Sequence, residues 1–178
     1  MKRILAFSGS FSKDSINHKL ASYAASSISN CEVEVIRLSE FEAPLYTKEL
    51  ETEEGVPETI KNLRTIFDAV DGFIVSVPEY NSSLAAGFKN TMDWLSRMEG
   101  KIFQDKPVLL MATSPGGRGG QSVLSHLSSI LPFWGAVVFG PFSLPKFNEN
   151  FTDAGLEQPY ASQLQELIRE FEQAVTGS

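Results

Sequence analysis

Five short apolar runs alternate along this chain with longer amphipathic stretches, and that alternation restricts the fold more than any single residue does. The runs cover 2–8, 33–36, 72–77, 107–112 and 136–139. Between the first two, Ile16, Leu20, Ala24 and Ile28 recur at intervals of four, which places them on one helical face. Val56, Ile60, Leu63, Phe67 and Val70 form a second stripe over 56–70. Leu84, Phe88, Met92 and Leu95 mark a helix over 84–97, and Leu124, Leu127 and Leu131 one over 120–131. Tyr160, Leu164, Leu167, Ile168, Phe171 and Val175 mark the last, over 160–175. The run at 72–77 is almost wholly apolar and is expected to be covered on both faces. The run at 33–36 alternates in part, as an edge strand with one wetter face does.

Strands that alternate with helices pair in parallel, with helices on both faces, and right-handed crossovers narrow the strand orders available. The pattern predicts an α/β chain. The expected form is a flavodoxin-like three-layer sandwich, a five-stranded parallel sheet of order 2-1-3-4-5 with the switch point between strands one and three. At 178 residues it is expected to be a single domain, 1–178. Two segments have no assigned element: 39–55, whose acidic stretch Glu49 to Glu54 is read as solvated surface, and 140–159.

Parallel strands present their carboxyl ends along one edge, and ligands bind in the crevice there. Three of the runs lead into loops of small and polar residues. Ser8 to Asn17 follows the first, Pro78 to Ser83 the third, and Thr113 to Gly120 the fourth. In the first loop Ser10, Ser12, Ser15 and Asn17 supply hydroxyl and amide groups, and Ile16 opens a helix whose free N–H groups favour an anion. The same residues also read as ordinary helix caps. The loop spells neither G-x-x-x-x-G-K-[ST] nor G-x-G-x-x-G. In the second loop Pro78 ends the strand, Glu79 is either an acid–base group or a local cap, Tyr80 offers a planar ring, and Asn81 an amide for a heterocycle edge. In the third, Ser114 precedes Gly116, Gly117, Gly119 and Gly120, whose bare backbone lets a flat ring lie against the amides. Arg118 is either a solvated loop residue or a contact to ring or phosphate.

The remaining composition excludes other classes. A net charge of −7 opposes nucleic-acid binding, which depends on Lys and Arg. No run approaches the roughly 20 residues that span a bilayer, so no membrane partner is expected. Only four residues separate Lys2-Arg3 from Ser8-Gly9, too few for a signal peptide, and the single cysteine, Cys31, fits a reducing compartment. The cytoplasm is the expected location. His18 and His126 lie far apart without metal-ligand spacing, so no metal site is expected.

Four stretches, taken together, resemble the NADPH-dependent FMN reductase family, which includes flavodoxin-like quinone, chromate and azo-dye reductases. They are Ser8-Gly9-Ser10 with Ser15-Ile16-Asn17, Pro78-Glu79-Tyr80-Asn81, Lys89-Asn90-Thr91-Met92-Asp93-Trp94-Leu95-Ser96-Arg97, and Ser114-Pro115-Gly116-Gly117-Arg118-Gly119-Gly120. They occur in the family's order over about residues 3–140. The resemblance implies non-covalent FMN, its phosphate at 10–17 and its ring between 78–81 and 114–119. NADPH or NADH would be co-substrate, and hydride would pass to flavin N5 and then to a small acceptor (quinone, flavin, azo compound or metal oxyanion) in a ping-pong sequence. No catalytic side chain is implied. A homodimer or homotetramer is, with the Pro78–Asn81 loop and the following helix near the subunit contact. Three positions depart from the family pattern: Ser12 stands where an arginine is common, Asp14 where a small residue is usual, and Ser82 where glycine usually follows the asparagine. The competing reading is a flavodoxin-type FMN electron carrier not reduced by nicotinamide. A receiver-like signalling domain lacks its aspartates, since Ser8 and Pro78 occupy the strand ends.

Overall fold

A computed structural model describes residues 1–177. In chain order the elements are β1 (Lys2–Ser8), α1 (Ile16–Ser26), β2 (Cys31–Arg37), α2 (Lys48–Glu54), α3 (Glu58–Asp68), β3 (Gly72–Val77), a small hairpin of β4 (Glu79–Tyr80) and β5 (Ser83–Leu84), α4 (Ala86–Leu95), β6 (Lys106–Thr113), α5 (Gln121–Ile130), β7 (Ala136–Leu144), α6 (Phe147–Asn150), a second hairpin of β8 (Phe151–Thr152) and β9 (Gly155–Leu156), and α7 (Tyr160–Thr176). Single 3-10 turns follow β2 and α5.

The main sheet has the order β2-β1-β3-β6-β7, all pairs parallel. Counting its strands alone, that is 2-1-3-4-5, as expected, and the order reverses between β1 and β3. Both faces of the sheet are covered. Leu5, Phe7, Phe73, Val75, Val108 and Leu110 pack with α3, α4 and α5 residues such as Phe67, Trp94 and Leu127 in one core layer. Ile4, Ala6, Ile74, Leu109 and Met111 pack with Leu20 and Ala24 of α1 and Leu164, Ile168 and Phe171 of α7 in the other. All of β3 is buried, while β2 at the edge buries only Ile36 along its length.

Three expected boundaries change. The fifth strand, read as 136–139, runs on to Leu144. Its register against β6 slips between Leu109 and Met111, so the strand bends rather than stops. Gly140 sits there at φ +95°, where a Cβ would lie 2.8 Å from the Leu110 carbonyl oxygen. Pro141 is tolerated because β7 is an edge strand and need not donate a ladder hydrogen bond. The acidic stretch folds as α2, capped by Thr47, whose hydroxyl accepts the Leu50 N–H. Leu84, expected in the third helix, belongs instead to β5.

Candidate functional site

Parallel register brings the three loops to one edge. Ser8 lies beside Ser76, and Ser76 beside Met111, so β1, β3 and β6 end at about the same height. Asn17 ties these ends together. Its Oδ1 accepts from the Thr113 N–H at 2.9 Å and the Ser76 hydroxyl at 2.8 Å, and its Nδ2 donates to the Thr113 carbonyl at 3.1 Å. The side chain is buried. Ser76, the one polar residue in β3, has its purpose in this network.

The first loop folds back on its own hydroxyls. Ser8 Oγ accepts the Ser10 N–H at 3.0 Å, and Ser10 Oγ accepts the Ser12 N–H at 3.2 Å. Ser15 caps α1, its hydroxyl accepting the His18 N–H at 3.1 Å. The first turn of α1 carries no acidic side chain. The Ile16 and Asn17 amides therefore stand at the positive end of the helix dipole with no anion of the protein's own in that turn. Burial first, and then the Arg37 charge, hold the His18 imidazole below its ordinary pKa, with Glu40 opposing.

The second loop is a two-residue hairpin. Glu79 pairs with Leu84 and Tyr80 with Ser83, and Asn81 and Ser82 form the turn at φ 51° and 61°. Positive φ at both positions is what a type I′ turn requires, and Asn-Gly is its favoured sequence. The expected glycine at 82 is thus a demand of the backbone. The Glu79 carboxylate is engaged as a cap: it accepts the Val123 N–H in the first turn of α5 at 3.0 Å. This fixes the hairpin to α5. Tyr80 is half exposed, at 51%.

The third loop is held from outside. Lys146 N–H and the Ser114 hydroxyl both donate to the Gly116 carbonyl, at 2.9 and 3.1 Å, and Phe147 N–H donates to the Ser114 carbonyl at 3.0 Å. A trans peptide points its carbonyl and the next amide in opposite directions, so the Gly117 N–H faces away from 146–147. A Cβ at Gly116 or Gly117 would meet nothing within 4 Å, so open space lies above both. Gly119 differs. It has φ +57°, and a Cβ there would strike Ser143 Oγ and the backbone of 144–145. The Arg118 guanidinium donates to Ser122 Oγ at 2.6 Å from an exposed position.

A cleft of about 260 Å³ opens between the first and second loops and the start of the third. Of the residues singled out in the sequence, Ser10, Ser12, Ser15, Ile16, Asn17, Pro78, Glu79, Tyr80 and Ser114 line it. Asn81, Gly116, Gly117, Arg118 and Gly119 lie in the loops beside it. Asp14, Thr113 and Pro115 also line it and were not singled out as site residues. Their signal was position alone, since each lies within one of the three loops. Among the described residues no group of three or more His, Cys, Asp or Glu side chains can hold a metal ion.

The nine-residue stretch 89–97 acts elsewhere. Asn90 Oδ1 accepts the Tyr46 N–H at 2.8 Å, and its Nδ2 donates to the carbonyls of Ala43 and Pro44. Trp94 Nε1 donates to the Pro44 carbonyl at 2.7 Å. Arg97 Nε reaches both carboxylate oxygens of Glu51, at 2.9 and 3.0 Å, and the Tyr46 hydroxyl donates to the same carboxylate at 2.9 Å. Arg97 and then Tyr46 hold Glu51 below the usual carboxylate range. Asn90 and Trp94 of α4, with Arg97 just beyond its end, thus clamp the segment from Ala43 to Glu51.

Residues 2–174 match the family described as NADPH-dependent FMN reductase. The chain belongs to that family. It is 36% identical over 137 residues to a quinone reductase of Escherichia coli, across 76% of this chain and 72% of that protein. A 2-hydroxy-1,4-benzoquinone reductase of a Burkholderia species is 31% identical over 158 residues, across 85% of this chain and 82% of that protein. Its fold superposes on the flavoenzyme NAD(P)H:(acceptor) oxidoreductase FerB of Paracoccus denitrificans with a TM-score of 0.82. There the identity is 26%, and 99% of this chain and 98% of that one are covered. The protein is therefore an NAD(P)H-dependent oxidoreductase of flavodoxin-like fold whose cofactor is FMN. The residues present fit that group. Small hydroxyls and unengaged helix amides suit a phosphate, and bare main chain at Gly116 and Gly117 leaves space for a flat ring. No described helix is long and apolar enough to cross a membrane.

Proposed function

We propose that this cleft holds FMN with its phosphate at residues 10–17 and its ring between 78–81 and 114–119, and that NAD(P)H and a small acceptor use one exposed side of the ring in turn. The observation that carries this is the meeting of three loops on one cleft, each with a different capacity. Bound FMN supplies the redox chemistry, taking hydride from the nicotinamide and passing electrons to the acceptor. The chain's own residues bind, orient and exclude. The hydroxyls of Ser10 and Ser12, with the Ile16 and Asn17 amides, receive the phosphate. Tyr80 walls the ring, and the Gly117 amide offers a donor to its polar edge. Glu79, fixed on the Val123 N–H, holds the hairpin in place.

A quinone is the acceptor that the relatives' activities favour, and it tests the reading first. Free flavin, an azo compound or a metal oxyanion would use the same open side. The assembly proposed is a homodimer or homotetramer, and the compartment the cytoplasm. The experiment is an anaerobic absorbance titration of the FMN-loaded protein. NADPH or NADH bleaches the flavin band and a stoichiometric quinone restores it, with parallel lines in steady-state kinetics. A band that neither nicotinamide bleaches makes the protein an electron carrier instead.

A further inference from the structure

The phosphate loop is poor in positive charge for the ligand it faces. Lys13 and Asp14 offset each other, and Ser12 stands where an arginine is common in the family. Phosphate monoesters carry about −1.5 to −2 at neutral pH. A guanidinium reaches this loop from a different element. Arg37 is the last residue of β2 and lies in register with Ser8 at the end of β1. Its Nη1 donates to the Lys13 carbonyl at 3.3 Å. Among the described residues no carboxylate lies within 4 Å of this guanidinium, so its charge has no acidic partner.

We infer that Arg37 is the positioning residue for the FMN phosphate, supplying from the sheet edge the positive charge that the loop lacks. The inference rests on the FMN reading above. It acts in two ways. The hydrogen bond turns the Lys13 carbonyl toward β2, so the Asp14 N–H points the opposite way. Asp14 lines the cleft, so the amide joins those of the first turn of α1. The guanidinium also sets a full positive charge beside a loop in which Lys13 and Asp14 cancel. Arginine suits the position because it stays charged at any working pH.

The test compares FMN with riboflavin, which carries the same ring without the phosphate. Dissociation constants are measured by fluorescence quenching on the wild type and on the variants Arg37→Met, Arg37→Lys and Arg3→Met. Arg3 makes the same change in net charge from the other end of β1, where it pairs with Glu34 at 3.6 Å. Arg37→Met is expected to weaken FMN about tenfold, equivalent to about 1.4 kcal/mol. Riboflavin binding stays unchanged, Arg37→Lys recovers part of the loss, and Arg3→Met behaves as wild type. The loss also shrinks with added salt, since the contact is electrostatic. The inference is overturned if Arg37→Met binds FMN as tightly as wild type, or if riboflavin weakens as much as FMN, which marks a purely structural role. A wild type that binds neither ligand overturns the FMN reading itself. Thermal unfolding of the apo variants confirms that each is folded at the assay temperature.

Discussion

Ser82 shows how one residue can carry a cost that the surrounding fold imposes. It occupies the second turn position of the β4–β5 hairpin at φ 61°, a region where a Cβ is crowded. Ser82→Gly is expected to stabilise the protein by about 0.5–1 kcal/mol in urea denaturation, the relief of strain exceeding the extra freedom glycine gives the unfolded chain. Asn17 is the opposite case, a polar residue that makes three buried hydrogen bonds. Asn17→Leu leaves the Thr113 N–H and carbonyl and the Ser76 hydroxyl buried without partners. Its expected cost is about 3 kcal/mol. From the sequence Asn17 reads as a ligand contact, because an asparagine at a helix start looks the same whether it faces a ligand or three strand ends.

Asp71 makes a smaller and pH-dependent contribution. The Lys2 ammonium at 2.8 Å, and then the Arg3 N–H, hold its carboxyl below the usual range. A depressed native pKa means that the stabilisation is fully present above the unfolded value, near pH 4, and is lost as pH falls through the folded value. The pair is partly exposed, so Asp71→Asn should cost under about 1 kcal/mol at pH 7. The difference from wild type should shrink in denaturation curves as pH falls through the folded value.

At the scale of elements, the strands and helices of the main sheet were legible because burial imposes a period. A strand covered on both faces reads as an unbroken apolar run, as 72–77 does, and a helix on the sheet repeats Leu20 and Ala24 on one stripe. The parts that were not legible lack that imprint. The two hairpins contain strands of only two residues each, too short for any alternation to register. The α2 helix buries no residue, so nothing in its sequence repeats. It is held by the Thr47 cap and by the bonds of Arg97 and Tyr46 to Glu51. The strand β7 continues past Gly140-Pro141, a pair that ordinarily ends a strand, because its register shifts there instead. The 89–97 stretch was legible as a family pattern but not as a clamp, since hydrogen bonds to the carbonyls of residues 43–44 leave no periodic trace. Asn90→Ala should release that clamp. Trypsin cleavage at Lys48 is expected to accelerate severalfold while the core stays intact. An unchanged cleavage rate would mean that Trp94 and Arg97 hold the segment without it.

For the molecule as a whole, the sheet order and the placing of three loops on one edge could be read from the chain, because parallel alternation fixes which ends of the strands share a side. What each loop residue does could not be separated in the same way. Glu79, Asn81, Gly119 and Ser15 satisfy backbone demands of the fold, and residues chosen for such demands are the same small and polar types that ligands select. The division of labour is physical. The fold uses the side chains of Asn17, Ser15 and Glu79 to hold the rim rigid, and it leaves main-chain amides and the hydroxyls of Ser10 and Ser12 for the ligand. Hydrogen exchange of the backbone, followed by mass spectrometry with and without FMN, tests this most directly. The account predicts slowed exchange in peptides covering 10–17, 78–82 and 113–119, with no change along α7. Protection confined to α7, or no protection at the three loops, would contradict it.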